Sequence, residues 1–429
     1  MTPIPSTTMP AVRVAIDVAK LTHQVLVELP TGKRRALRVA NTRLEIERLV
    51  SYLQSLEHPC EIGFEPTGDY HRPLAYVLGQ AGFRLSMVSS VAVARTRDAL
   101  YNSWDKNDPK DAQVILHLMK AGTTQRFLDP LVTGHLDLQE LANTYQQVSL
   151  RKVRLQHSIV THHLPLYFPE AERYLHSSRA EWFTELLLFT PCPAAVRRYT
   201  KAAFVAAARE QIGGRKVDKA RWLADFYDTA STSLGLPVLE TSEAMRMFCV
   251  VLEEYRALCR LRKRLEADIV TRLADQPDFQ RLQTLPGVGP ILALIILAEA
   301  RDLRRFGHAR QFLKYCGFDL CTEQSGQFRG TTHLSKRGNA RLRYAFWMAG
   351  TVAIRMQQNS FRRKFEDYIR PDPLNADRRR KAYTAVAAKM ARVAYAVVTT
   401  GIDYRRFPEA ARPGGRIPSP RAVEALATS

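Results

Sequence analysis

Carboxylates are scarce in this 429-residue chain: 42 Asp and Glu stand against 63 Lys and Arg, a formal net charge of +21. An excess of that size, spread along the whole length, favours a polyanionic partner. Long apolar runs are missing too. The longest, "ILALIILAEA" from Ile291, is about half of the roughly 20 residues that a bilayer-spanning helix needs, so a membrane does not account for the charge. The opening "MTPIPSTTMPAVRVAID" has no basic segment followed by an apolar stretch, and a cytoplasmic rather than a secreted protein is expected. Cysteine is sparse and unpatterned: Cys60, Cys192, Cys249, Cys259, Cys316 and Cys321 form no C-x-x-C pair. Reduced, mostly buried thiols are expected, with no zinc site.

What is present is an ordinary apolar fraction, 46%, which allows a sizeable core, in a length that suits two or three domains. Residues 11 to 122 alternate strand and helix patterns, with strands expected at 11–18, 22–29, 34–40, 60–64 and 83–89. The turn "LPTGKR" joins the second and third as a hairpin. Helical patterns fill 43–56, 71–81, 91–101 and 109–121. Three strands in a meander followed by β-α-β-α predict a mixed α/β sheet with helices on its faces. From residue 134 the strand signal stops. Between Thr241 and Asp275, apolar residues at Met245, Phe248, Leu252, Tyr255, Leu258, Leu261, Leu265, Ile269 and Leu273 recur every three or four positions, a long amphipathic helix. Its stripe suits either core packing within the chain or a coiled-coil contact between protomers. "TPCPAAVRRY" and "EQIGGRKVDKARW" read as loops within this helical region. Residues 278–404 are again mostly helical, broken by a Gly/Ser-rich stretch at 317–338, and the polar tail after Pro408 reads as disordered.

The few acids are oddly placed. Asp17 ends the apolar strand "VRVAID", and Glu65 ends "CEIGFE" in the same way. "SWDKNDPKDAQVILHLM" then supplies Asp105, Asp108 and Asp111 around a helix start, the last two spaced to share one helix face. Asp108 before a proline has a plain explanation as a helix N-cap. The set does not. Two strand-end acids with a downstream acidic pair are what paired divalent cations need from oxygen ligands, about 3.5–4 Å apart and clamping the oxygens of a phosphodiester.

Two other stretches point to phosphates. "LQTLPGVGPILALIILAE" reads as a helix-hairpin-helix element in which Gly287 and Gly289 let backbone N–H groups approach a phosphate at a helix N-terminus; a ligand-free tight turn between helices is its bland alternative. "CTEQSGQFRGTTHLSKRGNARLRYAFWMAG", 321 to 350, mixes Ser325, Thr331, Thr332 and Ser335 with Gly326, Gly330 and Gly338. Around them stand Arg329, His333, Lys336, Arg337, Arg341 and Arg343, a composition suited to gripping phosphates.

In order along the chain, "AIDVAK", "FEPTGDY", "KNDPKDA", "LPGVGPILA" and "SGQFRGTTHLSKRGNARLRYAFW" resemble the DEDD transposases of bacterial insertion sequences, the insertion sequence 110 family. The resemblance covers about 12–122 and 278–400. It implies an RNase H-type, RuvC-like domain at 11–123 whose acids, here Asp17, Glu65, Asp108 and Asp111, bind magnesium, two ions per site. It further implies a helical linker or coiled-coil region at 124–277 and a C-terminal transposase domain at 278–405 with a nucleophilic serine in a Ser-Gly pair, here Ser325. The implied partners are donor and target DNA, a structured guide RNA encoded by the element, and further copies of the chain as a homodimer assembling to a tetramer. The implied place of action is the nucleoid. Pro66 stands where the family has Ala, Asp105 is an added acid, and the central region is long.

The expected reaction is attack of Ser325 on a DNA phosphate, giving a phosphoserine link, with the acid-bound ions polarising the phosphate and Arg329 and Lys336 neutralising its oxygens. A Holliday-junction-type nuclease would use the same acids to activate water. A non-enzymatic nucleic-acid scaffold would explain the charge but leave four acids idle.

Overall fold

The computed structural model describes residues 11–101, 108–175, 180–212, 219–322, 324–325, 328–330, 332–356 and 359–404. Asp105, Gly326, Thr331 and the tail from 406 onward lie outside them. The chain divides into two compact units, 1–136 and 137–429.

The first unit is built on a six-stranded sheet ordered β3-β2-β1-β4-β5-β6. Its strands are β1 (Val12–Asp17), β2 (Thr22–Glu28), β3 (Arg34–Ala40), β4 (Cys60–Glu65), β5 (Arg84–Met87) and β6 (Gln125–Arg126). β1 pairs antiparallel with β2 and parallel with β4. Helices α1 (Arg43–Gln54), α2 (His71–Gln80), α3 (Ser90–Tyr101) and α4 (Asp108–Lys120) complete it. The strand period of two sorts residues between two cores. Val12, Val14 and Ile16 of β1 pack with Ile46, Leu49 and Leu53 of α1 and Leu74 and Leu78 of α2. Ala15, one step out of phase, joins Val93 of α3 with Ala112 and Ile115 of α4. β1 is therefore covered on both faces at its centre, which is why Val14, Ala15 and Ile16 are apolar and buried in succession. β3, at the edge, is mostly exposed and carries Arg34, Arg35 and Arg38, charges that discourage pairing with another chain. α4 settles against the sheet because β4 has a glycine beneath it: a Cβ on Gly63 would come within 2.5 Å of Met119 Sδ.

In the second unit the described residues are nearly all helical: α5 (Leu136–Ser158), α6 (Leu164–Tyr167), α7 (Ala180–Phe189), α8 (Pro193–Arg197), α9 (Lys201–Gln211), α10 (Lys219–Ser231), α11 (Glu243–Leu273), α12 (Pro277–Gln283), α13 (Pro290–Ala300), α14 (Ala309–Tyr315), α15 (Ala340–Ala353), α16 (Ser360–Ile369) and α17 (Ala376–Thr400). The long helix is real. Ser242 caps α11 by accepting from Met245 N, and its apolar stripe is spent inside the chain. Met245, Phe248, Leu252 and Tyr255 enter one core with α7 to α10, while Ile269 and Leu273 enter another with α12 to α17. "TPCPAAVRRY", expected as loop, contains the short helix α8, begun by Pro193 at its first position, where a missing N–H costs nothing. The mixed α/β start and the helical remainder are as the sequence predicts.

The Gly/Ser-rich stretch at 317–338 carries two short strand pairs among its described residues, together called the ribbon. β7 (Leu320–Cys321) pairs with β10 (His333–Leu334), and β8 (Gln324–Ser325) with β9 (Phe328–Arg329), all antiparallel.

Candidate active site

The acids fall in the first unit. Asp17 and Glu65 are register partners across the parallel pair β1–β4, each the last residue of its strand and each half-buried. By the alternation of strand faces both lie on the side of Ala15 and Gly63, the side α4 covers. The turn after Asp17 is fixed by a buried histidine: Ala19 N donates to His23 Nδ1 at 3.2 Å. Burial pushes the His23 imidazole below its usual range, so it stays neutral. At the far end of α4, Lys120 Nζ and Arg34 Nε donate to Glu28, at 2.7 and 2.8 Å. Burial alone would raise the Glu28 carboxyl; these bonds and charges outweigh it and hold the group below the carboxylate range.

Asp108 and Asp111 are both in the first turn of α4. The Asp108 side chain lies outside what the structure describes. Asp111 is buried, and its Oδ1 accepts from Arg97 Nε of α3 at 2.5 Å. A donor set of carboxylate oxygens fits a hard divalent cation in kind. In the arrangement found, no three of His, Cys, Asp or Glu converge closely enough to hold a metal among the described residues.

The second constellation is the ribbon. Cys321 Sγ and His333 Nε2 meet at 3.2 Å across it, and the Thr322 and Thr332 hydroxyls at 2.7 Å. Ser325 is the last residue of β8 and lies opposite Phe328; its side chain and that of Arg329 lie outside the described set. The ribbon is tied at its root. Ser335 N donates to Asp319 O at 2.8 Å, and Arg343 Nη1 donates to the carbonyls of Cys316 and Lys336, both at 3.2 Å. Asn339 caps α15 through Leu342 N and donates to Glu299 Oε2 at 2.6 Å. Arg341 Nη1 completes the network with Glu299 Oε1 at 2.6 Å and Asn143 Oδ1 at 2.5 Å. Two of the cations expected to grip phosphate, Arg341 and Arg343, thus have donors engaged inside the protein. Lys336 and Arg337 are exposed. Lys336 has φ +53°, a left-handed conformation that costs a residue with a side chain about 1 kcal/mol or more. The bond from Arg343 to its carbonyl helps to hold it there.

The two glycines of "LPGVG" differ. Gly287, at φ +84°, lies so close to α15 that a Cβ would sit 2.3 Å from Ala349 O. Gly289 caps α13 in an extended conformation with open space where its Cβ would be. The turn lines a cleft of about 410 Å³ with Val352, Met356 and Tyr404.

Sequence reasoning missed Arg97, Glu299 and Asn143, whose partners are distant in sequence. Asn339 was readable, since Asn directly before a helical run is an N-cap signal.

Comparison with known proteins bears on both units. A model for the DEDD transposase domain of IS110, described as "Transposase", matches residues 14–169. A second, "Transposase IS116/IS110/IS902 family", matches 279–366. Among curated proteins, the 43.6 kDa protein of insertion element IS110 from Streptomyces coelicolor is 24% identical over 414 residues, covering 93% of this chain and 96% of that one. The 44.8 kDa protein of insertion element IS116 from Streptomyces clavuligerus is 25% identical over 254 residues, covering 59% of this chain and 62% of that one. Among solved structures, T. thermophilus RuvC in complex with Holliday junction substrate aligns with 27% of this chain and 99% of its own at 12% identity, with a TM-score of 0.21, too low to carry argument. The chain is a transposase by class. It belongs to the IS110 family of insertion-sequence transposases. No helix among the described residues is long and apolar enough to cross a membrane.

Proposed function

We propose that this chain cuts and rejoins DNA for a mobile insertion sequence through a phosphoserine link at Ser325, with Asp17, Glu65, Asp108 and Asp111 holding divalent magnesium. The observation that carries the metal half is the register pairing of Asp17 with Glu65 under the helix whose first turn holds the other two acids. Bound there, magnesium would supply Lewis-acid polarisation of the phosphate. In the reaction, Ser325 Oγ bonds to phosphorus as the bond to a deoxyribose oxygen breaks. That oxygen leaves as a hydroxyl with the proton the serine gives up, and reversal onto another end rejoins the strands. The ribbon keeps Ser325 at the end of a short strand rather than in free loop, which limits the entropy lost in positioning it. Arg329, Lys336 and Arg337 are assigned to the phosphate oxygens, and the Gly287–Gly289 turn, as a helix-hairpin-helix, to the DNA backbone.

The family relationship supports the rest: a RuvC-like domain at 11–123, a helical region at 124–277 and a transposase domain at 278–405, guidance by an element-encoded structured RNA, a homodimer assembling to a tetramer, and action in the cytoplasm at the nucleoid. The second reading is a metal-dependent nuclease that uses water.

Trapping decides between them. Protein incubated with Mg²⁺, element-end DNA and the RNA transcribed beside the reading frame should give a denaturation-resistant protein–DNA adduct that maps to the Ser325 peptide. The adduct should vanish in Ser325→Ala and persist in Ser335→Ala. The reverse pattern would move the nucleophile, and cleavage without any adduct would establish the nuclease.

A further inference from the structure

Arg97 has no part in the chemistry proposed above. It sits in α3, a helix with one buried apolar residue, Val93, and its guanidinium reaches Asp111 fourteen positions on. The pair is secluded, with side chains 16% and 4% exposed. A carboxylate so buried needs a compensating charge, and here a guanidinium supplies it. Four carboxylates already balance two divalent cations in full. A guanidinium kept on Asp111 would then be an uncompensated positive charge in a buried setting.

We infer that Arg97 is the counter-ion of Asp111 while no cation is bound, and that cation binding displaces it, so that Arg97 sets how tightly the site holds a divalent ion. This rests on the reading of the four acids as a metal site. The ion pair fastens α3 to α4, together with the bond from Tyr101 Oη to Gln113 Oε1 at 2.7 Å. On cation entry the carboxylate changes partner and Arg97 must turn outward or bind another anion, for which a DNA phosphate is the chemistry at hand.

The test titrates the full chain with Mn²⁺ alone, by calorimetry, and measures melting temperature in chelator. Arg97→Gln should bind Mn²⁺ at least about tenfold more tightly, melt lower in chelator, and gain more from Mn²⁺ than the parent protein. Should Arg97→Gln fail to fold in chelator, folding on addition of Mn²⁺ supports the inference and failure to fold opposes it. Arg97→Lys keeps the charge and should stay near the parent affinity. The double variant Arg97→Gln/Asp111→Asn has no buried charge left to balance, and should recover stability in chelator while losing the tightened binding. Unchanged or weaker Mn²⁺ binding in Arg97→Gln would overturn the inference and leave the pair as a plain tie between helices. Asp17→Asn and Glu65→Gln separate the two levels. If neither weakens Mn²⁺ binding, the metal reading itself falls; if both do and Arg97→Gln does not tighten it, only the counter-ion role falls.

Discussion

Gly287 and Ala349 approach so closely that the glycine has no room for a methyl group: a Cβ at 287 would lie 2.3 Å from the Ala349 carbonyl oxygen and 2.9 Å from Ala353 N. One glycine of "LPGVG" is thereby explained by packing, without any ligand. Its neighbour is not, because Gly289 faces open space.

The two therefore make a paired prediction. Gly287→Ala adds left-handed strain to a backbone clash and should cost about 2 kcal/mol or more of stability, read by denaturation. Gly289→Ala should leave stability within about 0.5 kcal/mol and weaken DNA binding. Undiminished binding in a well-folded Gly289→Ala would take this turn out of the nucleic-acid interface.

The cations around the ribbon divide in the same way. Arg341→Ala leaves Glu299 Oε1 and Asn143 Oδ1 without the guanidinium that binds them, and Arg343→Ala releases two carbonyls at the ribbon's root; each should cost about 1–3 kcal/mol. Lys336→Ala/Arg337→Ala removes exposed charge and should spare the melting temperature. That double variant should weaken binding to all sequences alike and reduce the slope of log K against log salt by about 0.9 for each phosphate no longer neutralised. A change confined to which sequence is bound would mean that these two residues read bases.

The sheet was legible because its signals are local and repeated. "VRVAID" and "CEIGFE" alternate Val12, Val14, Ile16 and Ile62, Phe64 onto one face, and the hairpin turn names itself. Asp17 and Glu65 stood out as acids at the ends of apolar strands, and pairing in register followed from the parallel β1–β4 order. The ribbon was illegible for the opposite reason. Its strands are two residues long, too short for alternation to register, and are held by partners such as Cys321 and His333 twelve positions apart. Arg97 was hidden likewise: nothing near "ARTRDALY" announces that one of its arginines closes on Asp111.

The acids should separate by what they hold. Asp17→Asn and Glu65→Gln keep their shape and should lower recombination by about 100-fold or more with little change in melting temperature or DNA binding. Asp111→Asn should also abolish recombination, but it removes the buried partner of Arg97 and should cost about 3 kcal/mol as well. Asp105→Ala should be tolerated. Full activity in Asp111→Asn would exclude it from the site, and an inactive Asp105→Ala would shift the assignment by one acid.

The last prediction concerns pH and can be measured without DNA. His23, His71 and His163 are each pushed below the ordinary imidazole range, in every case chiefly by burial. A group with a lowered folded-state pKa stays unprotonated in the fold while the unfolded chain takes up a proton below about pH 6.5. Its contribution is thus complete above that value and is lost as pH falls toward the folded pKa. Stability from denaturant titrations should rise from about pH 5 to 7 and then level off. The depressed Glu28 carboxyl acts in a separate window: its contribution is present above the unfolded carboxylate pKa of about 4.3 and is lost only below it. His23 is the least exposed of the three and lies in the first unit, beside the turn that follows Asp17. His23→Gln should flatten the pH 5–7 slope whatever it does to the stability maximum, because glutamine has no proton to exchange. A slope unchanged in His23→Gln would mean that His23 titrates alike in the folded and unfolded chain, and that its burial is not what keeps it neutral.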